Sequence, residues 1–365
     1  MRVGIVGAGQ LGRMLAQAGS RLGMQFNFLD PSHEACAAEF GKLICTTYGD
    51  AEGLFQLAEQ SDFITFEFEN VPPRAVERLA MQTPTQPGAL ALATARDRWA
   101  EKTLFQQLDI PVAEVRKVDS QEELAAVVAK LGLPLICKTR TLGYDGKGQK
   151  RLLQESDLAN TFSELGEVPL IAERMVNFSQ EVSIIAVRNH EGEVRCYPLA
   201  INEHRRGILH SSTPAPEHPL NSMAQSYIMA TMDALHYVGV MAFEFFVVDD
   251  QLLANEIAPR VHNSGHWSIE GSECSQFENH LRALCDLPLG STLSREPSCL
   301  LNLIGARPDY QALLAIPGVH LHDYGKQARP GRKIGHITLT ASNSALLNER
   351  RHQVEELLVN DLGDL

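Results

Sequence analysis

Residues 240–260 read VMAFEFFVVDDQLLANEIAPR and contain the clearest structural pattern in the chain. Two apolar, β-like runs flank Asp249 and Asp250, which predicts a β-hairpin. Side chains alternate between the two faces of a strand, so the length of the turn determines which residues face one another. A three-residue loop or a bulge places Glu244 directly opposite Glu256, whereas a strict two-residue loop puts the two carboxylates on opposite faces.

Paired carboxylates among apolar neighbours repel one another and are costly to bury unless a cation lies between them. Magnesium carried by a nucleotide removes this conflict, because it binds through one or two carboxylates together with phosphate oxygens. Glu244 and Glu256 are therefore candidate magnesium ligands. The alternative is that both glutamates are solvated on the open face of a sheet.

A second candidate site lies upstream, where residues 138–149 read KTRTLGYDGKGQ. Three glycines within six positions follow an apolar strand that ends in Lys138. Such a loop can fold its N–H groups over phosphates while the lysine adds a positive charge beneath them. It is not a P-loop, because the Gly-Lys pair lacks the earlier glycine spacing and a following Ser or Thr. The alternative is a mobile hairpin turn.

A glycine-rich turn opens the chain, where GAGQLG at residues 7–12 separates an apolar run from a helical pattern. Together with a second β-like run ending at Asp30, it indicates a doubly wound α/β unit. The helix N-terminus suits an anion. Three interpretations stay open: a tight turn without a ligand, the dinucleotide site of an NAD-dependent oxidoreductase supported by Asp30, or a sugar-phosphate site formed by Gln10 and Leu11.

Two further segments combine histidines with basic residues, RVHNSGHW at 260–267 and RPGRKIGH at 329–336. His262 and His266 have the i, i+4 spacing of zinc ligands, but the Asn-Ser-Gly between them breaks any helix and weakens a metal-hydrolase interpretation. The second segment holds cations on a loop that Pro and Gly fix, which suits small anions such as phosphate and carboxylate. The alternative is a solvated basic surface. These cations are Arg329, Arg332 and Lys333.

Composition narrows the class of protein. The 365 residues include 32 Lys and Arg and 45 Asp and Glu, for a formal net charge of −13. This balance argues against nucleic-acid binding, which gains affinity from cations on phosphates. The 44% hydrophobic content excludes a disordered chain, and seven scattered cysteines suit a reducing cytosol. The start lacks a signal-peptide layout, and no apolar run approaches the ~20 residues of a membrane helix, so we expect a cytoplasmic protein without membrane contact.

The order of these features resembles that of the ATP-grasp enzymes and, among them, the 5-(carboxyamino)imidazole ribonucleotide synthetase family. The resemblance spans nearly the whole chain. The two motifs nearest the C-terminus are more specific than the glycine turn. The motifs that carry it are GxGQLGRML at 7–15, GYDGKGQ at 143–149, NExAPRVHNSGHW at 255–267 and RPGRKxGH at 329–336.

The resemblance implies a mixed α/β and α+β protein with an ATP-grasp fold. Its parts would be a Rossmann-like N-terminal domain (1–95), an ATP-grasp domain (96–290) with a lid subdomain at about 112–180, and a small C-terminal β domain (291–365). It also implies a homodimer. The implied reaction joins bicarbonate to 5-aminoimidazole ribonucleotide at the expense of ATP, with two magnesium ions, in the pathway to purines.

The same resemblance assigns residues to each substrate. Magnesium would be held by Glu244 and Glu256. The nucleotide would contact Arg98, Lys138, Gly143, Tyr144, Asp145, Gly146, Lys147, Gly148, Gln149, Glu173, Arg174, Met175, Val176, Glu181, His204, Asn255 and Glu256. The ribonucleotide and bicarbonate would contact Gln10, Leu11, Tyr144, Asp145, Arg260, His262, Asn263, Arg332 and Lys333. Of these, the catalytic residues would be Arg260, His262, Lys333 and Asp145.

The implied chemistry suits these side chains. Bicarbonate is a poor electrophile, so it would first attack the γ-phosphoryl group and form carboxyphosphate, a step that needs mainly positioning and positive charge. Carboxyphosphate decomposes quickly in water, so a closing lid must shield it. His262 or Asp145 could accept the proton of the amine. A biotin carboxylase, or a ribonucleotide-binding protein of the same fold without catalysis, is the alternative to this activity.

Overall fold

The computed structural model describes residues 1–143 and 148–362. Its first layer is a parallel four-stranded sheet in the order β3-β2-β1-β4. The fourth strand ends at Phe66, and the chain bends at Glu67. The elements are β1 (Arg2–Val6), α1 (Gln10–Ser20), β2 (Gln25–Asp30), β3 (Lys42–Cys45), α2 (Ala51–Glu59), β4 (Phe63–Phe66), α3 (Pro73–Ala80), α4 (Ala89–Arg96) and α5 (Arg98–Gln107).

A second, antiparallel sheet contains the glycine loop and has the order β5-β8-β6-β7. Lys138 pairs with Gln149 at the point where the hairpin opens into that loop. The elements are β5 (Val115–Val118), α6 (Gln121–Leu131), β6 (Leu135–Thr139), β7 (Gln149–Leu152), α7 (Thr161–Glu164) and β8 (Leu170–Arg174).

The third and largest sheet has nine strands in the order β14-β13-β9-β11-β12-β15-β17-β16, with β10 paired to β9. Its strands are β9 (Gln180–Arg188), β10 (Val194–Cys196), β11 (Ala200–Arg205), β12 (Ile208–Pro214), β13 (Gly239–Val248), β14 (Gln251–Ala258), β15 (Ser298–Ile304), β16 (Val319–Asp323) and β17 (Lys333–Thr340). The accompanying helices are α8 (Asn221–Ala234), α9 (Ser268–Gly271), α10 (Gln276–Leu284), α11 (Tyr310–Leu314) and α12 (Ser344–Leu362).

The C-terminal strands continue this large sheet. Ser211 and Ser212 of β12 pair with Leu301 and Leu300 of β15, so the hydrogen bonds run from the hairpin at one edge to β16 at the other. The strand that begins with Lys333 therefore belongs to the same sheet as the strand that carries Glu244. One sheet thus fixes the relative positions of two segments that are far apart in the sequence.

Alternation along β9 and β13 buries both faces of the large sheet. Val187 and Val240 pack toward the first sheet, α1 and α10, whereas Ile184 and Phe243 pack toward α5 and α8 on the other face.

No helix within residues 1–143 and 148–362 is long and apolar enough to cross a membrane.

Replacing Phe243 with Ala tests how firmly α5 is held against the large sheet. The Phe243 side chain is fully buried and stacks on Phe105 of α5, with the ring centroids 4.7 Å apart. We expect the variant to lose about 3–5 kcal/mol of unfolding free energy in urea titrations, the usual cost of truncating a buried phenylalanine. Phe55→Ala, at a side chain with 44% exposure, should change stability by about 0.5 kcal/mol or less. Equal losses would contradict this description of the core.

Candidate active site

A cleft of about 1100 Å³ lies between the three sheets. It opens where β1 and β4 end, which is the point in the first sheet where the strand order reverses and where α/β sheets usually bind ligands. The sequence-predicted residues that line it are Gln10, Leu11, Arg98, Lys138, Gly143, Gln149, Glu173, Arg174, Met175, Val176, Glu181, His204, Glu244, Asn255, Glu256, Arg260, His262, Asn263, Arg332 and Lys333.

Five further predicted positions remain. Gly148 follows the loop in a left-handed conformation (φ +69°), and its carbonyl accepts a hydrogen bond from Thr139 N–H at 2.8 Å. The other four lie outside the described residues: Tyr144, Asp145, Gly146 and Lys147.

The hairpin at one edge of the large sheet has a two-residue turn and a bulge. Asp249 and Asp250 both have positive φ, and Val248 pairs with Gln251 on either side of them. A two-residue turn alone would separate the carboxylates, but the register shifts next to Glu244, so that Glu244 pairs directly with Glu256. The bulge therefore gives the facing carboxylates that the sequence left as one of two possibilities.

The two facing carboxylates differ in their surroundings. Desolvation, reinforced by the charge of Glu256, raises the pKa of Glu244 to about 7. Desolvation also opposes ionisation of Glu256, but the Arg98 guanidinium, which donates a hydrogen bond at 2.8 Å, holds the pKa of Glu256 below its ordinary value. A second negative charge on the pair is therefore costly unless a further cation is present.

His262 lies beside this pair, with its Nε2 3.6 Å from Glu244 Oε1. Its Nδ1 accepts a hydrogen bond from the Ser264 N–H at 3.3 Å and lies 2.9 Å from the Ser264 hydroxyl. Burial and the nearby Arg260 charge lower the pKa of His262 to about 3. The imidazole is therefore neutral at physiological pH and carries its proton on Nε2, facing the carboxylate.

A buried network of charges holds Lys138 at the end of β6. Its ammonium lies 2.6 Å from one oxygen of Glu173, and the other Glu173 oxygen lies 3.1 Å from the ammonium of Lys102. The two lysines hold the pKa of Glu173 well below its ordinary value against a strong desolvation effect. The Glu173 side chain is therefore engaged by the two lysines, independently of any contact that its backbone makes.

Arg260 is fixed by a carboxylate that the sequence reasoning missed. Its guanidinium forms two hydrogen bonds with Glu69, from Nε at 2.6 Å and from an Nη atom at 3.1 Å. Such a fork holds the planar cation in one orientation. Glu69 follows β4 at the ligand-binding edge of the first sheet, so its position after an apolar run was the available signal.

The glycine-rich turn already contains an anion. The carboxylate of Glu67 accepts hydrogen bonds from the backbone N–H groups of Gly9 and, at 2.6 Å, Gly12. A Cβ at Gly9 would lie only 2.7 Å from Glu67 Oε1. Asp30 accepts from Ala8 N–H at 3.0 Å. A dinucleotide pyrophosphate would need the space that Glu67 occupies, so this geometry argues against an NAD-dependent oxidoreductase.

The side chains of two predicted nucleotide contacts, His204 and Arg174, are directed toward different partners. His204 Nδ1 contacts Glu181 Oε2 at 2.5 Å, and this contact, with the charge of Glu244, raises the pKa of His204 against desolvation. Arg174 instead donates to the Leu131 carbonyl at 2.6 Å, so its side chain is directed toward the end of α6. Met175 also lines the cleft.

The predicted ribonucleotide contacts come from the glycine turn, the segment at 260–267 and the basic loop, all of which line the cleft. Gln10 accepts a hydrogen bond from Lys326, a cleft residue that the sequence analysis did not select. Asn263 exchanges hydrogen bonds with Asn302, and Arg332 donates to the Gln327 carbonyl at 3.2 Å. A basic loop and the glycine-turn helix therefore face the same space, as small-anion binding requires.

Magnesium fits the carboxylate pair as a nucleotide-borne ion. No group of three or more His, Cys, Asp or Glu in the described ranges forms a ready-made metal cage. Glu244 and Glu256 supply two side chains with oxygen ligands. The pKa of Glu244 is raised by burial and by the charge of Glu256, which a cation between the two carboxylates would offset. Magnesium often binds through one or two carboxylates and takes its remaining ligands from phosphates and water.

Comparisons with protein families assign all three parts of the chain. Residues 1–96 match the ribonucleotide synthetase preATP-grasp domain, residues 103–277 the ATP-grasp domain, and residues 298–350 the phosphoribosylaminoimidazole carboxylase C-terminal domain. Fold and cleft thus define an ATP-grasp ligase, which uses ATP as its nucleotide.

Full-length relatives specify the class further. The chain is 54% identical to the N5-carboxyaminoimidazole ribonucleotide synthase of Pseudomonas aeruginosa, over 98% of this chain and 99% of that one. It is 40% identical to the synthase of Escherichia coli, over 95% and 92% of the two chains. The chain belongs to the N5-carboxyaminoimidazole ribonucleotide synthase family. It is an ATP-dependent ligase that carboxylates 5-aminoimidazole ribonucleotide in purine biosynthesis.

Solved structures agree with this assignment. The N5-carboxyaminoimidazole ribonucleotide synthetase of Thermus thermophilus superposes with a TM-score of 0.93 at 47% identity, covering 100% of this chain and 99% of that one. The synthase of Aspergillus clavatus in complex with ADP and 5-aminoimidazole ribonucleotide gives a TM-score of 0.89 at 34% identity, covering 98% of both chains.

The pH dependence of stability should report on Glu101, a buried carboxyl beside the site. Glu101 accepts a hydrogen bond from Ile257 N–H at 2.7 Å, and desolvation, reinforced by Glu256, raises the pKa of Glu101 to about 8. Between its ordinary pKa and about 8, the folded protein retains a proton that the unfolded chain has lost. This group therefore lowers stability as pH rises through that window, by up to ~1.4 kcal/mol per pH unit.

Glu101→Gln keeps the acceptor and removes the titration. We expect the variant to gain stability relative to the unmodified protein as pH rises from 5.5 to 7.5, measured by urea unfolding with a chelator present. Parallel pH profiles for the two proteins would show that Glu101 is ionised in the folded state.

Proposed function

We propose that this enzyme carboxylates 5-aminoimidazole ribonucleotide with bicarbonate, through carboxyphosphate, in the cleft between the three sheets. The observation that carries this proposal is the direct pairing of Glu244 with Glu256 at the bulge, with Arg98 on one carboxylate and Lys138 nearby. This arrangement suits a phosphoryl group accompanied by divalent ions, because phosphoryl transfer requires positioning and charge stabilisation.

The nucleotide would lie along β6, β8 and β14. Arg98, Lys138 and the loop at 143–149 would bind the phosphates, the backbone of residues 173–176 would contact the adenine, and Glu181 would bind the ribose with His204 beside it. Asn255 and Glu256 would lie at the phosphate end. Lys138 and Glu181 both line the cleft. Lys138 would supply the cation for the phosphates, and Glu181 would supply the acceptor for the ribose.

Glu244 and Glu256 would hold the magnesium ions that accompany ATP. Bound there, magnesium would neutralise charge on the transferring phosphoryl group. Arg98 would keep Glu256 ionised and correctly turned, and His262 would direct its Nε2 proton toward Glu244. These side chains orient the reactants without taking part in bond formation.

Bicarbonate and the ribonucleotide would share the other end of the cleft. Arg260, held by Glu69, would bind the carboxyphosphate with His262 and Asn263, while Arg332, Lys333, Gln10 and Leu11 would position the ribonucleotide. Because His262 carries its proton on Nε2 and accepts at Nδ1, this arrangement suits hydrogen-bond donation better than proton abstraction. Asp145, in the glycine-rich segment at 143–149, stays a candidate for the proton acceptor.

Three broader features belong to the same proposal. We place the domains at 1–95, 96–290 with a lid at about 112–180, and 291–365, supported by the confinement of the first two sheets to residues 2–66 and 115–174. We also propose a homodimer, from the family resemblance. A cytoplasmic location fits the purine-synthesis relatives and the cysteine content.

Labelled bicarbonate tests the carbon source directly. With ATP, magnesium and 5-aminoimidazole ribonucleotide, we expect label in the carboxylated ribonucleotide and ATP hydrolysis that requires the ribonucleotide. Omitting magnesium should abolish both. ATP turnover that is independent of the ribonucleotide and is coupled to biotin would instead indicate a biotin carboxylase activity.

Glu256→Gln tests the assignment of the carboxylate pair. The change removes a charge but keeps the side-chain shape, so we expect turnover to fall by about a hundredfold or more, the range for losing one contact that stabilises transition-state charge. Glu59→Gln, at an exposed side chain at the end of α2 and outside the cleft, is the control and should retain normal turnover. A near-normal rate for Glu256→Gln would remove this residue from the magnesium site.

A further inference from the structure

One face of α5 holds the strand that carries Glu256. Arg98, Glu101 and Lys102 follow the i, i+3, i+4 spacing that places side chains on one side of a helix. Arg98 donates to Glu256 at 2.8 Å, Glu101 accepts from Ile257 N–H at 2.7 Å, and Lys102 donates to two carbonyls of the same strand. The helix therefore fixes this part of β14 from three points.

Lys102 is a buried cation held by protein acceptors. Its ammonium donates hydrogen bonds to the Ala254 carbonyl at 3.1 Å and the Asn255 carbonyl at 2.8 Å, and it lies 3.1 Å from Glu173 in an ion pair. Two of the three ammonium donors are therefore used by the backbone of β14. Only 5% of the Lys102 side chain is exposed. Lys102 is thus a fixed charge beside the site.

Glu173 is shared between this fixed cation and Lys138. The Glu173 side chain is 4% exposed, and its second oxygen lies 2.6 Å from the Lys138 ammonium. Within the described part of the chain, Glu173 is the one acceptor that Lys138 contacts. Lys138 therefore has donors available for another anion once Glu173 is partly neutralised by Lys102.

We propose that Lys102 is a positioning residue that keeps Lys138 available to the ATP phosphates by sharing the carboxylate of Glu173. With both lysines present, one carboxylate faces two cations, and a net positive charge remains at the end of β6. Without Lys102, Glu173 and Lys138 form a buried one-to-one pair. A phosphate would then compete for Lys138 with a Glu173 carboxylate that no longer shares its charge with Lys102. This competition would take place in a buried environment, where charge interactions are strong.

This inference rests on the proposed role of Lys138 at the phosphates, and it makes a prediction of its own about pairs of substitutions. Lys102→Met should weaken ATP binding, because it leaves Lys138 neutralised by Glu173. Adding Glu173→Gln to that variant should restore binding, because it releases Lys138. A purely structural role for Lys102 predicts the opposite pattern, since a second buried substitution would add damage.

The experiment measures binding of MgATP by calorimetry to the full chain. We expect Lys102→Met to weaken binding roughly 10- to 100-fold, the loss associated with one hydrogen bond to a charged group. Lys102→Met/Glu173→Gln should bind within about threefold of the unmodified protein, as expected if that single contact is recovered. Unfolding midpoints in urea confirm that each variant is folded. If Lys102→Met fails to fold, Lys102→Gln carries the same test with a polar neutral side chain.

Two controls separate the possible outcomes. Lys150→Met removes a lysine that pairs with Glu164 at 2.6 Å on the same small sheet, and it should leave ATP affinity unchanged. Lys138→Met should bind ATP weakly in every background. If Lys138→Met binds normally, the proposed phosphate contact is wrong. If Lys138→Met is weak but Lys102→Met binds normally, or the double variant binds no better than Lys102→Met, the role of Lys102 is overturned.

Discussion

The bulge beside Glu244 is the constraint on which the site depends. The hairpin has a two-residue turn, and without an extra residue in β14 the carboxylates of Glu244 and Glu256 would point to opposite faces of the sheet. The bulge brings them together at a cost in desolvation and electrostatic repulsion, visible in the raised pKa of Glu244. Under the proposed function, magnesium ions that accompany ATP would offset this cost, because magnesium binds through one or two carboxylates together with phosphate oxygens.

The cations around the Glu244–Glu256 pair are each held by a protein carboxylate. Glu69 orients Arg260, Glu256 engages Arg98, and Glu173 lies between two lysines. These pairings keep flexible cationic side chains in place before substrate arrives, which lowers the ordering cost of binding. They also explain how an acidic protein can bind anionic substrates: its positive charge is local and fixed by neighbours.

Much of this architecture follows from sequence patterns, and the exceptions have identifiable causes. The strand–turn–helix opening, the hairpin and the convergence of the conspicuous motifs on one cleft agree with the structure, because each rests on local periodicity. Choosing between the registers of the hairpin required the fold, since one extra residue reverses the outcome. Glu67 and Lys102 could not be selected from sequence, because their partners lie far along the chain. The one signal for Glu69 was its position after an apolar run, which does not reveal its pairing with Arg260. Glu67 also shows why a glycine fingerprint alone does not identify a dinucleotide site.

The continuous hydrogen bonding from β12 into β15 makes the segment from Ser298 onward a cover for an otherwise open edge of the sheet. A shortened protein that ended before Ser298 would present the backbone donors and acceptors of Ser211 and Ser212 to solvent. Unpaired edges of this kind recruit strands from other molecules and promote aggregation. Loss of the segment from Ser298 onward would therefore reduce solubility and would also remove the basic loop. Most of the residues that are proposed to contact the nucleotide lie earlier in the chain.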